Sequence, residues 1–267
     1  MTGWVSGWYV MRRYWIESEN LLNEQVIVFK DELFHHIFDV CRQEKGSRFE
    51  VLLQGKAYLV EATEVLKKSA QARILEARNV AALPLPLIKI ALCIPRFNVL
   101  ESILEKAVEM GVHSLQLLSS NYSFIKSSEK ISPAKWERWQ KIIISSTQQC
   151  GRGELMTLVE PLSLEDFITS TNLMSDSLCL FGYEGSKVVT LKDHLRPKLE
   201  QKWSQAWIIV GAEGGFSQEE AQKLMDFGIQ PVTLGDQILR VETACIALIS
   251  VLKYELGLMR KTDEPKR

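Results

Sequence analysis

From Leu87 onward, short apolar runs alternate with segments whose apolar residues recur at helical spacing. Repeated strand–helix units are typical of a largely parallel sheet covered by helices on both faces. The sequence therefore predicts an α/β domain. We expect its strands at residues 87–94, 115–119, 156–159, 178–181, 207–210 and 231–234, and its helices at residues 99–110, 133–149, 164–169, 217–227 and 242–256.

The first 80 residues have a different pattern. Short, partly alternating apolar runs are separated by glycine and lysine, which is typical of strands joined by turns. Residues 31–41 have helical spacing, and Asp31 is the expected N-cap. Several strands with one helix predict a small β-barrel, and Pro84 and Pro86 indicate a linker at residues 81–86. The expected strands are residues 24–29, 48–53, 57–62 and 70–75.

Composition restricts the environment and the partners. The 32 basic and 33 acidic residues nearly balance, which argues weakly against a nucleic-acid binder. Residues 81–155 carry nine basic and six acidic side chains, so any polyanion should contact the first 155 residues. The five cysteines form no C-x-x-C pair, and the apolar run Ala244–Leu252 is too short to span a bilayer. We therefore expect a cytoplasmic protein without a metal site or a membrane span.

Two glycine-bearing loops follow predicted strands and precede predicted helices. The first is Gly211-Ala212-Glu213-Gly214-Gly215, and the second begins at Leu234-Gly235. We expect both loops at the carboxyl ends of neighbouring strands, where open α/β sheets bind ligands. Glycine lets a ligand approach the backbone, so a side chain at Gly214 or Gly215 is expected to occupy ligand space. The pattern matches neither G-x-G-x-x-G nor the P-loop, and tight turns are the alternative interpretation.

Charged residues stand at the start of the last predicted helix. Arg240 and Glu242 adjoin the second glycine loop, which suits a polar substrate. The structural alternative is a surface ion pair and a carboxylate that complements the helix dipole. The run Ala244–Leu252 is apolar almost all round, so it is expected in the core or at a subunit contact.

Six segments share their order and spacing with a known family. They are Met11-Arg12-Arg13-Tyr14, His35-His36 with Arg42, Lys106–Val112, Gln148–Arg152, Gly211–Ser217 and Leu234–Ala244. The last two are the most specific. Together these segments resemble the bacterial 16S ribosomal RNA uridine-N3 methyltransferase family of the SPOUT class. The resemblance extends from Met11 to about Met259.

The resemblance implies an RNA-binding, PUA-like β-barrel at residues 11–80 and a SPOUT α/β domain at residues 87–259. The latter would have a mostly parallel sheet and a trefoil knot. Residues 1–10 would be an extension and residues 260–267 a tail. The family is homodimeric and holds S-adenosylmethionine in the knot loops near the subunit contact. The resemblance therefore assigns the apolar helix Ala244–Leu252 to the subunit interface.

The implied reaction is methylation of N3 of a uridine in 16S ribosomal RNA, free or within the small ribosomal subunit. Arg240 and Glu242 are the implied catalytic residues, Glu242 as a general base or Arg240 as a stabiliser of negative charge. The implied cofactor-binding residues are Gly211, Glu213, Gly214, Gly215, Leu234, Gly235, Ile238, Leu239 and Thr243. The implied RNA-binding residues are Arg12, Arg13, His36, Arg42, Arg96 and Arg152.

The chain departs from the family pattern at several positions. Ala212 replaces a proline, Gln237 stands where arginine is frequent, and Asn121-Tyr122 replaces a serine-bounded Glu-Arg pair. A Lys-Gly-Asp-Arg loop appears as Arg96-Phe97-Asn98-Val99. Two alternatives stay open: a SPOUT enzyme acting on transfer RNA or a ribose 2′-hydroxyl, and a non-catalytic RNA-binding factor in ribosome assembly. The His35-His36 and Leu239–Thr243 segments argue against the first alternative.

Overall fold

The computed structural model describes residues 11–170, 173, 176–185 and 188–260. The extension expected at residues 1–10 and the tail beyond residue 260 lie outside this part of the chain. The chain divides into two compact units. One comprises the residues up to Ala82 together with Thr147–Glu154, and the other comprises Leu83–Ser146 and the residues from Leu155 onward.

The first unit contains a six-stranded sheet in the order β1-β4-β5-β6-β3-β2. The β1–β4 pair is parallel and the other pairs are antiparallel. The predicted strand-rich unit with one helical segment is confirmed. Its elements are β1 (Arg13–Trp15), β2 (Leu21–Asn23), β3 (Val26–Lys30), α1 (Asp31–Phe34) with a following π-helical segment (His35–Val40), β4 (Arg48–Leu53), β5 (Lys56–Val65) and β6 (Ser69–Asn79).

The helical segment of this unit begins differently from the prediction. Lys30 is the N-cap and has extended backbone, whereas Asp31 is already the first residue of α1 with φ of 51°. The prediction of Asp31 as the N-cap was wrong, because β3 runs directly into the helix and leaves no loop residue to cap it. The acidic side chains of Asp31 and Glu32 lie in the first turn, where they complement the helix dipole.

The second unit is built on a seven-stranded sheet in the order β11-β13-β10-β12-β7-β8-β9. All of its strand pairs are parallel, which confirms the predicted sheet type. The strands are β7 (Leu87–Cys93), β8 (Ser114–Ser119), β9 (Thr157–Ser163), β10 (Ser177–Gly182), β11 (Val189–Thr190), β12 (Gln205–Val210) and β13 (Gln230–Thr233).

Helices cover both faces of this sheet, as predicted. Side chains of alternate strand residues enter two separate cores, so Ile208 lies in one and Ile209 in the other. The first core includes residues of α2, α3 and α7, and the second includes residues of α4 and α6. The helices are α2 (Phe97–Glu109), α3 (Pro133–Cys150), α4 (Leu164–Ser170), α5 (Leu191–Leu195), α6 (Gln218–Asp226) and α7 (Val241–Glu255), with 3₁₀ turns at Ser18–Asn20, Ser128–Lys130 and Arg196–Lys198.

The strand order corrects one expectation about the glycine loops. β10 lies between β12 and β13 and pairs with both. The prediction that the two loops follow neighbouring strands was therefore wrong, because consecutive strands in the chain are not consecutive in the sheet. The part of the sheet edge that carries the two glycine loops is therefore formed by the carboxyl ends of three strands, β12, β10 and β13. The expected trefoil threading stays a prediction.

Among the described residues, none of the helices has the length and apolar character needed to cross a membrane.

A buried carboxylate holds two arginines in the first unit. Glu50, 8% exposed, accepts hydrogen bonds from Arg13 Nε at 2.9 Å and from Arg78 at 2.9 Å. Burial by itself would raise the pKa of Glu50, but the hydrogen bonds from Arg78 and Arg13 outweigh it and lower this pKa below its usual value. The ionised form of Glu50 therefore stabilises the fold.

We predict that Glu50→Gln destabilises the protein at neutral pH by about 1–2 kcal/mol, the scale of a partly screened, charge-assisted hydrogen bond. A lowered folded-state pKa stabilises at pH values above the unfolded-state pKa, and this contribution disappears as the pH falls through the folded-state pKa. The free energy of unfolding of the whole chain, measured with denaturant at pH 7 and pH 3, should therefore differ between variant and wild type at pH 7. This difference should become smaller at pH 3. An equal difference at both pH values would contradict the assigned role.

Candidate functional site

A cavity of about 820 Å³ opens at the carboxyl ends of β10, β12 and β13. This volume lies within the usual range of sites for small molecules and cofactors. Five of its lining residues are glycines, so the backbone forms part of its wall. It is lined by Arg96, Asn98, Val99, Gly182–Glu184, Val210–Phe216, Val232–Gly235, Gln237–Glu242, Ala244 and Leu248.

The loop after β12 closes tightly on itself. The Gly215 N–H donates a hydrogen bond to the Ala212 carbonyl at 2.8 Å, and Gly215 has a left-handed φ of 68°. A Cβ on Gly211 would lie 2.7 Å from the Gly215 carbonyl carbon, closer than side chains approach backbone. The conformation of the loop itself therefore requires glycine at positions 211 and 215.

Gly214 is required for a reason other than the predicted one. A Cβ on Gly214 would lie 2.9 Å from the Cβ of Tyr122, which follows β8. At Gly214 the expectation that a side chain would occupy ligand space was wrong, because Tyr122 fills the position. At Gly215, where a Cβ would meet nothing within 4 Å, it stays a prediction. Gly214 lines the cavity through its backbone, and its missing side chain lets the loop after β8 pack against the loop after β12.

Two glutamates attach the loop after β12 to its surroundings. The Glu213 carboxylate accepts a hydrogen bond at 3.0 Å from the backbone N–H of Arg96, the N-cap of α2. The Glu220 carboxylate accepts one from the Ser217 N–H at 2.9 Å and another from the Asn121 N–H at 2.7 Å. Ser217 and Glu220 together form the capping box of α6. These bonds fix the wall of the cavity from both sides.

Arg240 and Glu242 both line the cavity, at the start of α7. Arg240 is the exposed N-cap, and its carbonyl accepts the Ala244 N–H at 2.8 Å. Glu242 lies in the first turn of the helix. The sequence thus predicts correctly that these two charges lie beside the glycine loops.

Most of the predicted cofactor-binding residues line the same cavity: Gly211, Glu213, Gly214, Gly215, Leu234, Gly235, Ile238 and Leu239. Ile238 is 79% exposed, so its side chain lies largely in solvent. Thr243 is exposed on α7 and is not among the lining residues in the described part of the chain.

The predicted RNA-binding residues are divided between the two units. Arg12 donates a hydrogen bond to the Cys41 carbonyl at 3.1 Å, and the His36 ring lies 3.9 Å from the Cys41 sulfur. Arg12, His36 and Arg42 thus surround Cys41 in the first unit, and all three are exposed.

The other predicted RNA-binding residues lie elsewhere. Arg13 and Arg152 also belong to the first unit, and burial lowers the pKa of Arg152. Arg96 lies in the second unit, where it lines the cavity.

One wall of the cavity is missing from the sequence-based prediction. Gly182 ends β10, Tyr183 and Glu184 follow it, and all three line the cavity. A glycine directly after the apolar run 178–181 is the same signal that the other two loops carry. The sequence alone, however, does not reveal that β10 lies between β12 and β13.

The charges around the cavity have both signs. Arg96 and Arg240 are cationic, whereas Glu184, Glu213 and Glu242 are anionic. Such a lining suits a ligand that itself carries charges of both signs. In the described residues, no group of three or more His, Cys, Asp or Glu side chains could hold a metal ion. Fold and cavity define an α/β protein with a cofactor-sized site at the carboxyl edge of a parallel sheet.

Comparisons with known proteins identify the family. A family model for an RNA methyltransferase domain matches residues 82–253, and one for an RNA methyltransferase PUA domain matches residues 29–75. The chain is 30% identical to ribosomal RNA small subunit methyltransferase E of Aquifex aeolicus, covering 88% of this chain and 96% of that protein. For the protein of the same name from Bacillus subtilis, the values are 28%, 94% and 99%.

Solved structures with a similar fold agree with this family comparison. A methyltransferase structure from Legionella pneumophila, in complex with S-adenosylmethionine, has a TM-score of 0.80 and 28% identity and covers 91% of this chain and 97% of its own. The Neisseria gonorrhoeae ribosomal RNA small subunit methyltransferase E, bound to S-adenosylmethionine, matches in fold with a TM-score of 0.76, 24% identity and the same coverages. The chain therefore belongs to the RNA methyltransferase family that includes the ribosomal RNA small subunit methyltransferase E proteins.

We predict that Gly211→Ala opens the loop after β12, because its methyl group would collide with the Gly215 backbone. The expected destabilisation is about 1–3 kcal/mol, typical of overpacking. Gly182→Ala is the matched control, since Gly182 has no left-handed φ and its Cβ would lie 3.5 Å from the Leu248 side chain, an ordinary van der Waals contact. Hydrogen exchange of residues 211–217 should accelerate far more in Gly211→Ala than in the control. Equal exchange in the two variants would contradict this description of the loop.

Proposed function

We propose that the protein transfers a methyl group from S-adenosylmethionine to N3 of a uridine in 16S ribosomal RNA, in the cytoplasm. The observation that carries the proposal is the cavity at the ends of β10, β12 and β13, with Arg240 and Glu242 at its side. Support comes from relatives named ribosomal RNA small subunit methyltransferase E and from similar structures with S-adenosylmethionine bound.

The residues of the cavity fit this cofactor. S-adenosylmethionine carries a cationic sulfonium and ammonium and an anionic carboxylate, and the lining offers charges of both signs. Backbone groups of Gly211, Gly214, Gly215, Leu234 and Leu239 would hold the adenosine part, where glycine leaves the main chain accessible. When bound, the cofactor supplies the electrophilic methyl group. The protein contributes orientation, which accounts for much of the rate enhancement in a displacement between two bound partners.

Arg240 and Glu242 would act on the uracil. The N3–H must lose its proton before or during attack, and the Glu242 carboxylate, which lines the cavity, would accept that proton. The Arg240 guanidinium would stabilise the negative charge that develops on the uracil carbonyl oxygens. Because N3 lies on the Watson–Crick edge, the target uridine must be unpaired or extruded from a helix.

The first unit would supply RNA contacts. The match to an RNA methyltransferase PUA domain and the exposed residues Arg12, His36 and Arg42 support this role. Arg13 is already paired with Glu50, so any contribution to RNA binding would come in addition to a structural role. Small-subunit ribosomal RNA, free or assembled, is the proposed partner.

We predict that nucleoside mass spectrometry finds 3-methyluridine after small-subunit RNA or subunits are incubated with the protein and labelled cofactor. Glu242→Gln should lower kcat about 100-fold or more and remove an ionisation from its pH profile, as expected for a general base. Glu219→Gln, an exposed carboxylate on α6, is the control and should leave kcat unchanged.

Other outcomes of this experiment identify a different function. Label in a ribose 2′-hydroxyl or in transfer RNA would indicate another methyltransferase target. RNA binding without any methyl transfer would support a non-catalytic assembly factor. A kcat of Glu242→Gln equal to that of the wild type would remove the general-base role and leave charge stabilisation by Arg240.

We further propose that the protein is a homodimer through the outer side of α7. Cys245, Leu248, Ile249 and Leu252 point into the core, so only one side of this helix is covered. On the other side Ile246, Val251 and Tyr254 are 37%, 36% and 73% exposed. An apolar helix face of this kind is stabilised by burial against a symmetry-related copy.

We predict that Ile246→Glu converts a wild-type dimer to a folded monomer, because the new carboxylate would be buried without a partner in the interface. Ala134→Glu, which adds the same charge on an exposed position of α3, is the control and should stay dimeric. Sedimentation equilibrium at micromolar concentration measures both. A monomeric, active wild type would exclude the dimer.

A further inference from the structure

We propose that Tyr122 stacks on an unpaired base of the RNA substrate beside the cofactor cavity and so helps to position the target uridine. This inference rests on the function proposed above. It names a positioning residue for the RNA, distinct from the residues that line the cavity.

Tyr122 contacts a residue of the cavity wall. The Cβ and Cγ of Tyr122 pack directly against Gly214, whose other side lines the cavity. Tyr122 is nevertheless 52% exposed, and Phe124, two residues further on, is 54% exposed. The loop that packs against Gly214 therefore carries two large aromatic side chains that are each about half exposed.

The loop that carries these rings is held firmly. The Asn121 N–H donates to the Glu220 carboxylate at 2.7 Å, and the Asn121 amide donates to Ser217 Oγ at 3.0 Å. The Phe124 N–H donates to the Ile94 carbonyl at 2.8 Å. Because the backbone is fixed on both sides of Tyr122, the exposure of the ring is a feature of the folded loop. A fixed aromatic surface binds a partner at little cost in conformational entropy.

The surroundings favour nucleic acid over a protein partner. The Phe124 ring lies 5.5 Å from Phe97, and the Lys135 ammonium lies 5.4 Å from the centre of the Phe97 ring. Lys126 and Lys130, on the same connection, are exposed, and Arg96 lines the adjacent cavity. Exposed aromatic rings next to cationic side chains are typical of sites that bind single-stranded nucleic acid.

Stacking explains what the ring would contribute to methyl transfer. A uridine whose N3 is accessible has left its base pair, so its neighbours also lose stacking partners. The Tyr122 ring can replace one such partner with little regard to base identity.

The test compares Tyr122→Ala with Tyr122→Phe, which keeps the ring. Loss of one base–aromatic stack should raise the KM for small-subunit RNA about tenfold in Tyr122→Ala. Tyr122→Phe should stay within about twofold of the wild type, since the phenyl ring stacks equally well. Calorimetric affinity for S-adenosylmethionine should not change in either variant, because alanine keeps the Cβ, the atom of Tyr122 that lies nearest to Gly214. Leu199→Ala, at an exposed apolar position, is the control.

Binding of a short oligouridine, followed by fluorescence anisotropy, provides a readout that does not need catalysis. Tyr122→Ala should weaken this binding by a similar factor, and Tyr122→Phe should not.

Equal RNA binding and KM in Tyr122→Ala and wild type would overturn the inference while leaving the proposed function intact. A loss of cofactor affinity would assign the ring to the cofactor site, and dissociation of a dimer would assign it to the subunit contact; each also overturns the inference. Absence of methyl transfer by the wild type would instead refute the proposed function, with the anisotropy still testing Tyr122.

Discussion

Parallel pairing of β10 with both β12 and β13 is the contact on which the cavity depends. Phe181 of β10 is in register with Ile209 on one side and with Pro231 on the other. Since all three strands run in the same direction, their carboxyl ends reach the same edge of the sheet. Three glycine-bearing loops therefore converge there, and the start of α7 follows the last of them. The crossover helices that parallel pairing requires also bury both faces of the sheet.

The cavity is shaped by contacts within the protein. Gly211 packs on Gly215, Gly214 packs on Tyr122, and Glu213 binds the Arg96 amide. These contacts connect the loop after β12 to the loops after β7 and β8. A site fixed in this way does not have to be ordered by its ligand, so binding does not incur the conformational entropy cost of ordering the loops. It also explains why glycine is needed where no ligand would touch a side chain.

Periodicity predicts most of the elements, because burial on two faces or one produces distinct apolar spacings. Six of the seven strands of the parallel sheet and five of its helices follow from such local patterns. Short elements are not predicted, because β1 has three residues and β11 has two, which is too few to show a period. The position of Asp31 within α1 is not predicted either, since the sequence does not show that β3 continues into α1 without a loop.

The site is predictable only in part, and for a different reason. Gly211, Gly235 and Arg240 can be located because each follows a strand or precedes a helix along the chain. The wall made by Gly182–Glu184 and the contact between Tyr122 and Gly214 depend on which strands lie side by side. Crossover connections fix that order, and the sequence of a single strand does not encode its neighbours.

Hydrogen exchange with and without S-adenosylmethionine tests most directly whether these loops hold the methyl donor. Saturating cofactor should slow exchange in residues 182–185, 211–217 and 234–240, the loops that meet at the carboxyl edge of β10, β12 and β13. Exchange in β4 and β5 of the first unit should not change. Slowing confined to other segments, or none at a concentration that saturates binding, would contradict the assignment of the cavity as the cofactor site.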